Sequence, residues 1–88
     1  MPERSTVVAS KAGLHARPAA VFVKAAAEQP TAVSIRKPDG EPVDASSILS
    51  IMTLGVEQGD EVILSAEGER AAEALDALVE LLERDLDE

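Results

Sequence analysis

The sequence predicts an α+β fold in the order β-α-β-β-α-β-α: a four-stranded, mainly antiparallel sheet with three helices on one face. Three observations carry this prediction. Short β-rich runs at residues 4–9, 32–36 and 61–66 alternate with longer stretches of helix formers. In Val33-Ser34-Ile35-Arg36 apolar and polar residues alternate strictly, so that strand is covered on one face only. From Arg70 onward, Ala71, Leu75, Leu78, Val79, Leu82 and Leu86 make one apolar stripe, with Glu73, Asp76, Glu80 and Glu83 opposite it, as in a helix laid on a sheet. Layers of this kind bury one face of each element. The order suits a ferredoxin-like or split β-α-β sandwich, and pattern alone leaves the strand order open.

Each element has its own signal. The first strand, residues 4–9, ends in Thr6-Val7-Val8-Ala9. A helix over 16–27 follows, with Ala19, Ala20, Phe22, Val23, Ala26 and Ala27 on a wide apolar face, Lys24 outside it and Pro30 ending it. After the second strand, Lys37-Pro38-Asp39-Gly40 has proline, aspartate and glycine where a tight turn needs them, and Pro42 confines the strand around residues 41–43 to an edge. Ser46 and Ser47 offer hydroxyl caps to a short helix that Gly55 terminates. Gly59-Asp60 opens the last strand, Glu61 to Ala66, whose apolar density suits a central position, and Gly68 closes it.

Composition narrows the function classes. The 88 residues suffice for one domain, residues 1–88, with one modest core. Phe22 is the only aromatic residue, so that core is built from Ala, Val, Leu and Ile. There is no cysteine and one histidine, which argues against a disulfide framework, a metal site or a haem; no metal and no cofactor is expected. The net charge of −9 argues against nucleic acid as a partner. Residues 1–56 hold six basic and five acidic side chains, whereas residues 57–88 hold two and twelve, so the acidity belongs to the last third. Lys11, Arg17 and Lys24 bracket His15 with no acid between them. Residues 1–5 lack the apolar core of a signal peptide, and no stretch approaches the roughly 20 apolar residues of a membrane span. The expectation is a cytoplasmic protein that is not membrane-embedded. Neither paired carboxylates nor a nucleotide loop points to a dedicated enzyme.

The chemistry concentrates in Gly13-Leu14-His15-Ala16-Arg17-Pro18. Gly13 can adopt backbone angles closed to other residues, and Pro18 fits the first turn of a helix, where a missing N–H costs little. His15 is therefore placed where a loop becomes a helix. The unpaired N–H groups of that first turn and the positive end of the helix dipole seat an anion. A neutral imidazole is a nucleophile, and the Arg17 guanidinium forks onto phosphate or carboxylate oxygens.

These residues, with Ala19, resemble the active-site segment of HPr, the histidine-containing phosphocarrier family of the bacterial phosphoenolpyruvate-dependent sugar phosphotransferase system. Ser47-Ile48-Leu49-Ser50-Ile51-Met52-Thr53-Leu54-Gly55 resembles the second-helix segment of the same family, and the resemblance runs over essentially the whole chain. It implies a single HPr-like domain, an open-faced β-sandwich with strand order 1-4-2-3. It also implies a carrier and co-substrate of phosphotransferases rather than an enzyme. His15 would accept a phosphoryl group on Nδ1 from phosphorylated Enzyme I and pass it to sugar-specific IIA proteins. Arg17 and the backbone N–H groups of Ala16 and Arg17 would neutralise the phosphoryl charge. The same comparison assigns Ser47, rather than Ser46, as the serine that HPr kinase/phosphorylase modifies in Gram-positive relatives. Ile48, Leu49 and Met52 would dock partners, with Lys24 steering them and Leu14, Ala20 and Phe22 contributing less. Transfer among partners implies a monomer.

The sequence departs from commoner relatives at Ala12, where many have Ser or Asn, and at Ala27 and Ser50, which are basic in some. The first removes a side chain able to contact the active site, and the others leave steering to Arg17 and Lys24, with Lys11 a lesser candidate. Two further readings fit the same residues: a specialised, nitrogen-type or other, phosphorelay carrier, and a non-catalytic regulatory module on a ferredoxin-like sandwich. Without the resemblance, Ser47 reads equally as a structural cap, and Ile48 and Met52 as ordinary core.

Overall fold

The computed structural model describes residues 3–9, 13–14 and 16–84, with Ala16 described by its backbone alone. Lys11, Ala12, His15 and Leu86 lie outside the described residues. The elements are β1 (Glu3–Val7), α1 (Ala16–Ala27), β2 (Val33–Arg36), β3 (Val43–Asp44), α2 (Ile48–Leu54), β4 (Glu61–Ala66) and α3 (Ala71–Leu82). They form one antiparallel sheet in the order β1-β4-β2-β3, as the resemblance implied and the pattern alone could not say.

Register decides which face is covered. Thr6 pairs with Val62, and Leu64 sits between Arg4 and Ile35, so these residues point to one side of the sheet. Val62, Leu64, Ala66, Val33 and Ile35 are buried there, while Ser34, Ile63 and Ser65, on the alternate positions, are only half-buried. The helices close the covered side: α3 packs on β1 and β4, and α1 packs on both α2 and α3. Phe22, Leu14, Ile51, Leu75, Leu78 and Leu82 fill the space between. Burial of one such side chain stabilises the fold by about 1.5–3 kcal/mol.

Several details differ from the sequence reading. β1 runs from Glu3 to Val7 rather than 4–9, because the N–H groups of Val8 and Ala9 leave the ladder and donate to the carbonyls of Asp60 (3.0 Å) and Leu82 (3.1 Å). The edge strand is displaced to Val43–Asp44, after Pro42, which has no N–H to give a ladder. Ala20 and Ala27 are exposed, so the apolar face of α1 is narrower than the run of alanines suggested. Leu14 and Phe22 are completely buried and form no part of a docking surface. Both are large apolar side chains within the continuous buried core, which takes such residues first.

Candidate functional site

The seat of the site is built by two backbone segments. Gly13 has φ +64°, and a β-carbon on it would lie 2.2 Å from the Val56 carbonyl oxygen and 2.7 Å from Glu57 Cα. Only glycine fits there. The next residue, Leu14, donates its N–H to that same Val56 oxygen at 3.0 Å and buries its side chain completely. Helix α1 then opens at Ala16, with Pro18 buried in its first turn. Position 15 is therefore bracketed in sequence by a pinned, buried leucine and a helix start.

The start of α1 carries no acidic residue in its first turn, and its leading N–H groups have no partner within the helix. Arg17 is exposed there and is tied by no ion pair or hydrogen bond to another described residue. The arrangement leaves a guanidinium and the positive end of a helix dipole available to an anion. Further along the same face lie the exposed Ala20, Val21 and Lys24, spaced at three and four residues. Lys24, in the last turn, also complements the negative end of the helix.

Helix α2 packs against α1 and presents Ile48, Leu49 and Met52 to solvent, 42%, 72% and 48% exposed, while Ile51 is buried. A seven-residue helix that buries Ile51 and leaves three large apolar side chains outside has an unpartnered face. Its start separates the two serines. Ser47 is the N-cap, with φ −106° and ψ 115°, and its Oγ accepts the Ser50 N–H at 3.3 Å. Ser46 instead donates both its hydroxyl (2.7 Å) and its N–H (2.9 Å) to Asp44 Oδ1. These two bonds, the hydroxyl's first, hold the Asp44 carboxyl below its ordinary range.

The family model described as PTS HPr component phosphorylation site matches residues 2–84. The chain is also 43% identical over 88 residues to the phosphocarrier protein HPr of Streptomyces coelicolor, covering 100% of this chain and 95% of that one. It belongs to the HPr family of phosphocarriers. The structure of HPr-C-His from Thermoanaerobacter tengcongensis superposes with a TM-score of 0.91 at 46% identity, covering 100% of this chain and 98% of that one. A second structure from that organism, an HPr dimer, gives a TM-score of 0.71 at 48% identity, with 94% of each chain covered.

In HPr terms, the fold gathers most of the residues expected from the sequence. Arg17 and Lys24 lie on one face of α1, and Ile48, Leu49 and Met52 lie exposed on the neighbouring α2. Ser47 stands at the head of α2. Leu14 and Phe22 are withdrawn into the core. Val21, 38% exposed on α1, is not among the residues expected from the sequence, and its spacing of four from Arg17 and three from Lys24 is the signal that finds it. Lys37, read from sequence as part of a tight turn, and Asp60, read as opening the last strand, brace the loop that carries Val56. Lys37 Nζ donates to the Gly55 carbonyl at 3.0 Å and lies 3.5 Å from Asp60 Oδ2. That oxygen also accepts the Glu57 N–H at 2.9 Å. Nothing in their spacing announced this, since Lys37 and Asp60 are brought together only by the tertiary fold. No helix among the described residues is long and apolar enough to cross a membrane.

Proposed function

We propose that the chain takes a phosphoryl group on Nδ1 of His15 from phosphorylated Enzyme I and passes it to sugar-specific IIA proteins, working as a monomer in the cytoplasm. The observation that carries this, within a chain of the HPr family, is Arg17. It stands exposed and without a described partner in the first turn of a helix that opens directly after position 15. In the step, the neutral imidazole lone pair attacks phosphorus, a P–N bond forms and the bond from phosphorus to the donor breaks. The second transfer reverses those roles. A loose phosphoryl transition state asks the protein for placement and charge neutralisation. Arg17 and the N–H groups of Ala16 and Arg17 supply the second.

Ile48, Leu49 and Met52 form the apolar contact for both partners, with Lys24 as a steering charge. Phosphorylation of Ser47 would place a charge of roughly −2 beside that contact, and the Asp44 carboxylate near the start of α2 adds to the repulsion. Such modification therefore weakens docking of the apolar face.

Incubation with Enzyme I and phosphoenolpyruvate, followed by intact mass spectrometry, tests the reading. One added phosphate that is lost in acid, survives alkali and is missing in His15→Ala supports it. A native chain that gains no phosphate refutes it. For Ser47, an acid-stable phosphate introduced by a kinase and ATP disappears in Ser47→Ala; persistence of that phosphate refutes the assignment.

A further inference from the structure

Loop 55–60 grips the chain on both sides of residues 10–13. On one side, the Val8 N–H donates to the Asp60 carbonyl at 3.0 Å, the Gly59 N–H donates to the Val8 carbonyl at 2.9 Å, and Gln58 Nε2 donates to the Ala9 carbonyl at 3.2 Å. On the other, the Val56 carbonyl holds Leu14, the residue before His15, at 3.0 Å. One short loop thus sets both ends of the segment that leads to the phosphoryl acceptor.

That loop holds itself by one backbone bond, from the Asp60 N–H to the Glu57 carbonyl at 3.1 Å. Gly55 and Gly59 both have positive φ, +67° and +88°, and neither has a neighbour that a β-carbon would meet within 4 Å. Glycines at such positions permit the turn without confining it. Side chains add the rest of the confinement. Asp60 Oδ2 closes the loop on the Glu57 N–H, and Lys37 Nζ, reaching in from the end of β2, spans the Gly55 carbonyl and that same carboxylate. Lys37 is itself tethered, its carbonyl accepting the Gly40 N–H at 3.0 Å in the turn after β2 and a bond from Arg36 at 3.3 Å.

We propose that Lys37 is a positioning residue for phosphoryl transfer, holding loop 55–60 and through it Leu14 and the chain on either side of residues 10–13. The role rests on the carrier function given above for His15. Lys37 and Asp60 are 32% and 39% exposed, and ion pairs in that setting add little to global stability. Their effect is therefore on geometry, and small displacements of a reacting group lower transfer rates far more than they lower stability.

The test compares wild type, Lys37→Met, Lys37→Arg and Asp60→Asn for phosphoryl uptake from phosphorylated Enzyme I, with amide hydrogen exchange at Leu14 as a second readout. In Lys37→Met the rate at saturating donor falls about tenfold with KM unchanged. Exchange at Leu14 quickens while Ile35 and Leu64 stay protected. Lys37→Arg, which can still bridge carbonyl and carboxylate, recovers most of the rate, and Asp60→Asn behaves as a weaker Lys37→Met. A Lys37→Met chain that transfers at the wild-type rate, or one whose KM alone rises, overturns the positioning role; the second outcome makes Lys37 a docking cation. A wild-type chain that takes up no phosphate overturns the carrier function itself, and Leu14 exchange in Lys37→Met then still tells whether the brace exists.

Discussion

Gly13 and Val56 meet so closely that a single added β-carbon would stand 2.2 Å from the Val56 carbonyl oxygen. The same oxygen accepts the N–H of Leu14, so one carbonyl both excludes a side chain at position 13 and ties down position 14. Gly13→Ala meets backbone rather than a yielding side chain, and it also forces alanine to a φ of +64°. Strain and overpacking together cost roughly 3 kcal/mol. Urea unfolding measures that loss, and phosphoryl uptake in Gly13→Ala falls further than the folded fraction alone explains.

Ser47 and Ser46 behave differently when replaced. Ser47→Ala removes the N-cap of α2 and lowers stability by about 1 kcal/mol, while Ser47→Asp keeps an acceptor for the Ser50 N–H and loses little. Chemical denaturation of the two variants separates them. In partner binding the order reverses: Ser47→Asp brings charge to the apolar face and weakens Enzyme I, and Ser47→Ala does not.

Removing the Ser46 hydroxyl changes a pH profile. Its bond is the main reason the Asp44 carboxyl titrates below its ordinary range, with the Ser46 N–H second. A carboxyl with a lowered folded pKa contributes stability above its unfolded pKa and loses it as pH falls through the folded pKa. Ser46→Ala is therefore less stable than wild type at neutral pH, and the difference vanishes once Asp44 is protonated in both. Carboxyl carbon NMR shows Asp44 of Ser46→Ala titrating at higher pH than in wild type; an unmoved midpoint contradicts this.

Burial divides the apolar residues around α1 and α2 into two classes with opposite signatures. Phe22→Ala empties a fully buried site and costs about 3–5 kcal/mol. Leu49→Asp, at a side chain 72% exposed, changes the unfolding free energy by only about a few tenths of a kcal/mol and raises KM for Enzyme I about tenfold. Val21→Asp does the same to a smaller degree. Steady-state transfer assays beside thermal melts check all three.

Local chemistry made much of this molecule legible from the chain alone. Glycine, proline and hydroxyl residues act within a few positions of themselves, so α1 from Ala16 to Ala27, β4 from Glu61 to Ala66 and a hydroxyl cap at Ser46 or Ser47 are legible in the chain. Alternation in Val33 to Arg36 likewise announced a sheet covered on one face. Periodicity ranks residues by hydrophobicity and cannot rank two apolar residues against each other. Leu14 and Phe22 therefore remain docking candidates in the sequence, weaker than Leu49, whereas the fold buries both in the core and a seven-residue α2 leaves Leu49 outside.

The chain alone establishes the order of elements, the basic stretch around position 15 and the backbone freedom of Gly13, because each depends on residues close together in sequence. It took the folded molecule to show that Val56 is what Gly13 must clear, that Asp44 engages Ser46 and leaves Ser47 to cap α2, and that Lys37 and Asp60 brace the loop beneath Leu14. The Gly13–Val56 and Lys37–Asp60 contacts join segments far apart in the chain, and even between Asp44 and Ser46, two residues apart, the choice of hydroxyl depends on distance in space, which spacing along a chain does not record.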